Sequence, residues 1–471
     1  MSSIVNRKSQ LAAAISALVL SLGAGQAFAT GFQLNENSAS GLGNAFAGGA
    51  AATDDASVMW WNPAGLSQFP KMQGLAALHI IVPNIKFSNN GSLPATNQPL
   101  GNDGGDAGGF NFVPNTYISV PLNDAWTAGL GINAPFGLTT EWDGGWIGRY
   151  QALKSQIQTI NVNPALSWKV MPAFAVGFGV NYQYLKATLT NNVNYSGALL
   201  QAAAANGIPP GSATFNAIAG ATSGLDAKAQ IKGEDGAWGW NIGFAWDVSP
   251  QLRLGLGYRS EMKYDVSGNI DFSNPTPAPP WSTPGAIIGV IGALSAGVNN
   301  TALHGRSVTS DITLPQIANF SALFRVNSQW DVMADLQYTG WSSVPELRFN
   351  ASSPPALPPT PLEWDDTWKV AVGATYKAND KWKARFGVAF DQTPVTNDPT
   401  VRLPDSDRWW LAVGGQYTWS QNLKFDTGFV YVIGDNTTIS QNQGSTASNA
   451  LVNGTFKAST VILSFQGTYT F

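Results

Sequence analysis

The side chains that most often do acid–base work are nearly missing from this chain. His79 and His304 are its only imidazoles, one in a first predicted strand and one in a long loop, and there is no cysteine. A serine hydrolase would need one of these histidines beside a serine, yet no HExxH, GxSxG or phosphate-binding glycine loop is present. A phospholipase or esterase is thus the remote enzymatic alternative. No catalytic residue is assigned, and no metal or cofactor is expected. Asn62-Pro63-Ala64 suggests a structural chemistry instead, because proline lacks an N–H and steers Asn62 away from helix. A bend is therefore expected there, the alternative being an ordinary turn. Asp54 and Asp55 can pair with cations facing this segment or form a solvated turn.

These residues lie in a short segment between an export signal and a strand-rich body. Arg7 and Lys8 precede an apolar run from Leu11 to Leu22 and the small-residue site Ala27-Phe28-Ala29, the pattern of a cleavable signal peptide over residues 1–29. That run falls short of the roughly 20 residues a spanning helix needs. The remaining chain is poor in charge, at 11%, and rich in glycine (50) and tryptophan (18). A charge fraction well under the roughly 25% of soluble chains leaves too little to dress a water-facing surface. Mean hydropathy near zero suits alternation better than apolar blocks. A net charge of −4 gives no basic footprint for nucleic acid.

Alternation is plain in Val461 to Phe471, where Val461, Leu463, Phe465, Tyr469 and Phe471 interleave with Ser464, Gln466, Thr468 and Thr470. Trp330 to Tyr338 repeats it, giving one face for lipid and one for a polar lumen. Short turns, such as Pro121 to Asp124 and Ala378 to Lys381, take strict turns with long loops, the largest near residues 190–229 and 267–306. Six short turns and seven long loops predict about fourteen strands, the even number of an all-β transmembrane antiparallel barrel. A sandwich would not explain that alternation of loop lengths. Within the large loops, the Ala-rich stretch from Ala198 and the apolar Pro284 to Asn299 are expected to form short helices over the mouth. They serve either as a shield against lipopolysaccharide or as a landing surface for an apolar ligand, and their apolar character favours the second.

The stretch GFQLNENSASGLGNAFAGGAAATDDAS, followed by NPAGL, resembles the N-terminal hatch of the outer-membrane long-chain fatty acid transporter family (FadL/TodX, OMPP1). GRYQA at Gly148 to Ala152, FDQTPV at Phe390 to Val395 and RLPDSDRWWL at Arg402 to Leu411 extend the likeness along the mature chain. The resemblance implies a hatch over residues 30–71 inside a barrel over residues 72–471, and passive uptake of hydrophobic molecules with hatch gating. It also implies a kinked third strand that opens the wall sideways into the bilayer. Placed on this sequence, the family pattern puts Phe32 beneath the bound acyl chain and Lys186 at the carboxylate, with Lys369 a second candidate. Asn62, Pro63 and Ala64 then tie the hatch to the wall, at or near the third-strand kink. That kink is expected within Asn133 to Gly137, where Pro135 breaks the ladder and Gly137 permits unusual dihedrals.

The expected ligand is a long-chain fatty acid, the alternative being an aromatic hydrocarbon such as toluene. Both need an apolar groove, and only the acid needs a cation. The expected setting is the bacterial outer membrane, in contact with its lipid and lipopolysaccharide, with the protein a monomer and no nucleic-acid partner.

Overall fold

The computed structural model describes residues 31–395 and 399–471; the signal peptide expected over Met1–Ala29 lies outside the described residues. The body is a closed antiparallel barrel of fourteen strands, the number read from the loop pattern. They are β1 (Gln73–Asn89), β2 (Asn111–Pro121), β3 in two segments (Trp126–Asn133 and Gly137–Glu141), β4 (Lys154–Met171), β5 (Phe174–Asn194) and β6 (Asp226–Asp247). Next come β7 (Leu252–Arg259 and Met262–Ser273), β8 (Arg306–Leu314 and Ile317–Arg325), β9 (Trp330–Thr339), β10 (Thr367–Lys377) and β11 (Trp382–Asp391). β12 (Arg408–Thr418), β13 (Leu423–Gly434 and Thr437–Gln441) and β14 (Val452–Thr470) complete the wall. β14 pairs with β1 from Gln73↔Thr470 to Asn89↔Gly454, which closes the cylinder and leaves no sheet edge for hydrocarbon to meet.

Period-2 alternation sorts the side chains as predicted. Val332, Leu336, Phe465 and Tyr469 are exposed on the outer wall, whereas Met333, Gln337, Ser464 and Gln466 are buried inside. Outward aromatics form two belts. Trp126 stacks on Trp168, Trp330 meets Tyr376 and Trp382 meets Tyr417 near the short turns. Tyr182–Trp238, Tyr338–Trp368 and Phe390–Trp409 lie near the long loops. From Trp330 to Tyr338 the strand runs roughly 26 Å at ~3.3 Å per residue, which a tilt of about 40° reduces to roughly 20 Å along the bilayer normal, so that the two rings flank the apolar band.

Inside lies the segment from Gly31 to Phe69, nearly all buried. It holds two single-turn helices, α1 (Ala39–Leu42) and α2 (Val58–Trp61), and a 3₁₀ helix (Pro63–Gln68). Ser38 caps α1, its hydroxyl accepting from Gly41 N, and Asn62 caps the 3₁₀ helix by accepting from Ala64 N. Leu34, Leu42, Met59, Trp60 and Leu66 pack against inward residues of the wall, among them Leu75, Tyr117, Met333 and Trp410.

Helices also form where the large loops predicted them: α3 (Tyr195–Ala205), α4 (Ala213–Thr222) and α5 (Gly285–Thr301). Leu199, Leu200, Ile218, Ile291, Leu294 and Val298 join them in one apolar cluster. Ile288 and Trp281 remain exposed, the latter 98% so.

Candidate functional site: a stoppered groove beside a break in the wall

The third strand breaks within the stretch the sequence marked. Between its two segments, Ala134, Pro135 and Phe136 leave the ladder. β2 pairs with the first segment from Thr116↔Ile132 to Pro121↔Thr127, whereas the second segment pairs with β4. Proline has no N–H for the ladder, and neighbours occupy the groups thus released. Thr159 Oγ1 accepts from Phe136 N at 3.0 Å and donates to Phe136 O at 2.6 Å. Asn115 Oδ1 accepts from Ala134 N at 3.3 Å, and Asn115 Nδ2 donates to Glu36 O at 2.6 Å.

The start of the inner segment threads this break as a short extra strand. Leu34 N donates to Pro135 O at 2.8 Å and Gly137 N donates to Phe32 O at 2.7 Å. Gly31 N donates to Asp405 Oδ2 at 2.9 Å. Gly31 has φ +60, and a Cβ there would lie 2.7 Å from the Trp341 ring, so only glycine serves. Phe32 is driven into an aromatic nest, its ring centroid 6.0 Å from Phe136, 5.0 Å from Trp341 and 5.9 Å from Trp364.

Above that nest a groove descends from the long-loop side. Its outer chamber holds about 510 Å³ and is of mixed character, lined by Val193, Phe272, Phe349 and Leu357 together with Thr400, Gln443 and Glu363, among others. Leu189, Ile231, Leu347, Phe349 and Arg402 line both this chamber and a narrower inner part, which reaches Leu138, Val266 and Leu403. Those last three belong to the same apolar cluster as Phe32 and its aromatic nest, the stopper that packs against this inner part.

Arg402 is the cation common to both parts. Its guanidinium donates to Lys154 O and Ser155 Oγ at 3.2 Å and to Gln151 O at 2.9 Å, all neutral acceptors. It forms no ion pair among the described residues. Burial pulls its guanidinium down to about 10, still charged at neutral pH.

Lys186 is not in this groove. Leu185 and Leu189 on β5 point inward and are buried, while Lys186 is exposed on the outer side with Tyr182. It sits opposite Glu234 and Gln158 in the two ladders. Strand parity corrects the expectation that this lysine meets a carboxylate inside. Lys369 does face inward and is buried, with Nζ 4.1 Å from the centroid of Trp410 and 5.5 Å from that of Phe46. Nζ has no hydrogen-bond partner among the described residues, but it lies below the stopper, against the inner segment.

Asn62 ties the segment to the wall, though not at the kink. Nδ2 donates to Ala50 O at 2.8 Å and to Phe244 O of β6 at 2.9 Å. Pro63 supplies the first residue of the 3₁₀ helix. Ala64 O accepts from Ser167 Oγ of β4 at 3.0 Å, and Ala64 sits where Gly177 of β5 leaves room. Asp54 faces Lys383 at 3.2 Å and Arg385 at 3.4 Å. Burial opposes ionisation of Asp54, but those two cations hold it below the usual carboxylate range. Asp55 instead accepts from Ser40 Oγ at 2.6 Å and Gln466 Nε2 at 2.7 Å.

Glu36, beside the break, has neither carboxylate oxygen hydrogen-bonded among the described residues. Burial pushes it up to about 7, against the pull of its own backbone N–H and the fields of Lys369 (β10) and Arg408 (β12), and with that of Asp391 (β11). A raised carboxyl stabilises the seated segment below its unfolded value, near 4.5, and that gain is lost as pH rises through about 7. Hydrogen exchange of residues 31–69 is therefore expected to show less protection at pH 8 than at pH 5.5, by up to about 2 kcal/mol. Glu36→Gln should erase the difference; a pH effect that survives it would place the titration elsewhere.

Arg402, and which cations would meet Asp54, escaped the sequence reading. Arg402 stood within RLPDSDRWWL, but a loop carries no periodicity to say which way its side chains turn.

Residues 20–471 match the family described as outer membrane protein transport protein (OMPP1/FadL/TodX). A long-chain fatty acid transport protein of Escherichia coli is 30% identical, covering 92% of this chain and 93% of its own. The crystal structure of a Pseudomonas aeruginosa FadL homologue superposes with a TM-score of 0.79 at 26% identity, covering 94% of this chain and 100% of that one. The P. putida toluene transporter TodX shares the fold, with a TM-score of 0.63 at 16% identity, covering 91% and 98%. A closed fourteen-stranded barrel, a broken third strand and a match along the whole body agree: this chain belongs to the OMPP1/FadL/TodX family of outer membrane transport proteins.

Proposed function

We propose that the protein is a passive outer-membrane channel for long-chain fatty acids. The acid enters the apolar groove beneath the loop helices, and the hatch formed by residues 31–71 gates its release through the break in β3. The buried Arg402 carries this reading, being a guanidinium with only neutral acceptors at the mouth of the apolar inner part of the groove. A hydrocarbon gives such a charge nothing, whereas a carboxylate completes it. The acyl chain gains roughly 0.8 kcal/mol for each CH2 it buries. Phe32 then has two duties, packing against the inner part of the groove with its ring and closing the wall with its backbone. Withdrawing Gly31 to Leu34 would open both together, sending the chain sideways into lipid instead of along a wet axis. The exposed Trp281 and Ile288 by the loop helices suit first contact with an apolar ligand. No catalytic role is proposed for any residue, and nothing in the reading requires an oligomer.

Titration of the detergent-solubilised protein with oleate, in competition with toluene, tests this. Oleate is expected to bind tightly and to resist displacement by toluene, with Lys186→Ala indistinguishable from wild type. Toluene binding without oleate binding would instead make this a hydrocarbon channel.

A further inference from the structure

A second buried guanidinium, Arg259, ends the first segment of β7 and points into the lumen, 7% exposed. It too forms no ion pair among the described residues. Around it runs a relay of asparagines from neighbouring strands. Asn161 Nδ2 donates to Asn133 Oδ1 at 3.1 Å and to Asn181 Oδ1 at 3.3 Å. Asn181 Nδ2 and Asn163 Nδ2 both donate to Asn241 Oδ1 at 3.1 Å. Arg259 Nη1 donates to Asn181 Oδ1, and its Nη2 donates to Asn163 Oδ1 at 3.5 Å. Two valences stay open, Asn241 Nδ2 and Asn161 Oδ1, on side chains that are 1% and 0% exposed. The relay ends at Asn133, the last residue before the break in β3.

The remaining partners of Arg259 belong to the hatch. Nη2 donates to Trp60 O at 2.9 Å, and the guanidinium lies 3.5 Å from the centroid of the Trp60 ring. In the closed barrel, then, a neutral carbonyl occupies a position suited to an anion.

We infer that Arg259 and its asparagine relay form a transfer site for the substrate carboxylate between the groove and the wall opening, where the carboxylate displaces the Trp60 carbonyl from Arg259. The inference rests on the fatty acid reading above. An ionised headgroup that leaves Arg402 for the break in β3 needs another counter-charge, because an unpaired buried charge is very costly, and Arg259 is the cation joined through the asparagine relay to Asn133 at that break. A bond from a guanidinium to a carboxylate is roughly twice as strong as one to a carbonyl, so arrival of the headgroup favours release of α2. Asn241 Nδ2 supplies a further donor to the carboxylate, and a water carried with it can fill Asn161 Oδ1.

Uptake into proteoliposomes tests the site with two probes of equal chain length, oleate and oleyl alcohol, on wild type, Arg259→Gln and Arg259→Lys. Arg259→Gln should slow oleate at least tenfold and leave oleyl alcohol within twofold, with Arg259→Lys in between. Oleate binding to the groove should be unchanged in all three. If both probes slow equally, Arg259 is only a tether for the hatch and the inference fails; unchanged oleate uptake by Arg259→Gln overturns it as well. Failure of the fatty acid reading looks different, because wild type itself would then not bind oleate.

Discussion

Gly257→Val should convert a closed barrel into a leaking one. Gly257 faces inward on β7, and a Cβ built there would lie 1.9 Å from the carbonyl oxygen of Trp61 and 2.7 Å from Asn319 Oδ1. The strand cannot retreat, because its ladders with β6 and β8 hold Gly257 opposite Gly243 and Asn319. What yields is the hatch. Gly243 and Gly387 repeat the arrangement, with added carbons at 2.0 Å from Asn62 Oδ1 and 2.2 Å from Asn44 C. The wall is therefore bare of side chains where the inner segment rests on it, and overpacking such a seat costs about 1–3 kcal/mol. In planar bilayers, wild type should show no sustained openings, whereas Gly257→Val should give stepwise conductance. Gly220→Ala, on α4 with open space around it, serves as the silent control, and heat-modifiable gel mobility confirms that each barrel is folded. A silent, folded Gly257→Val protein would mean that the hatch absorbs the bulk without moving.

The second large effect is expected at Arg402. Arg402→Gln keeps polar contacts with the backbone around Gln151 and Lys154 but removes the charge, and oleate binding should weaken by tenfold to about a hundredfold. That range corresponds to the roughly 1.5–3 kcal/mol of a hydrogen bond to a charged partner. Toluene binding should not change, which separates loss of the carboxylate partner from collapse of the groove. Arg402→Lys should recover only part of the loss, since a point charge cannot make the two parallel bonds of the fork. An equal loss for oleate and toluene would instead assign Arg402 to holding the loop, through the three carbonyl and hydroxyl contacts it makes now.

The two readings of basic residues show where a sequence stops being informative. Lys186 was placed by family pattern, yet the stretch Asn181-Tyr182-Gln183-Tyr184-Leu185-Lys186 already puts it on the side of the two tyrosines. Parity, applied there, turns it outward. The same parity in Leu252 to Arg259 puts Arg253, Gly255, Gly257 and Arg259 on one face and the leucines on the other. Both the glycine seat and the second guanidinium were therefore visible as inward residues, but not as partners of the hatch.

By itself the sequence determined the elements whose cause is local. Alternation and loop length set fourteen strands, Pro135 set the break in β3, and the apolar loop stretches set the helices at the mouth. These follow from backbone chemistry and from a period of two imposed by lipid on one side and a polar lumen on the other. Only the tertiary structure decided which residues meet across the lumen. Asn62 reaches Phe244, 182 positions along the chain, instead of the kink. Gly31 reaches Asp405, 374 positions away. Arg402 turns from its loop into the groove. The physical reason is that closure of a barrel and the path of a segment threaded inside it depend on register summed over all fourteen strands, and no single stretch of sequence carries that sum.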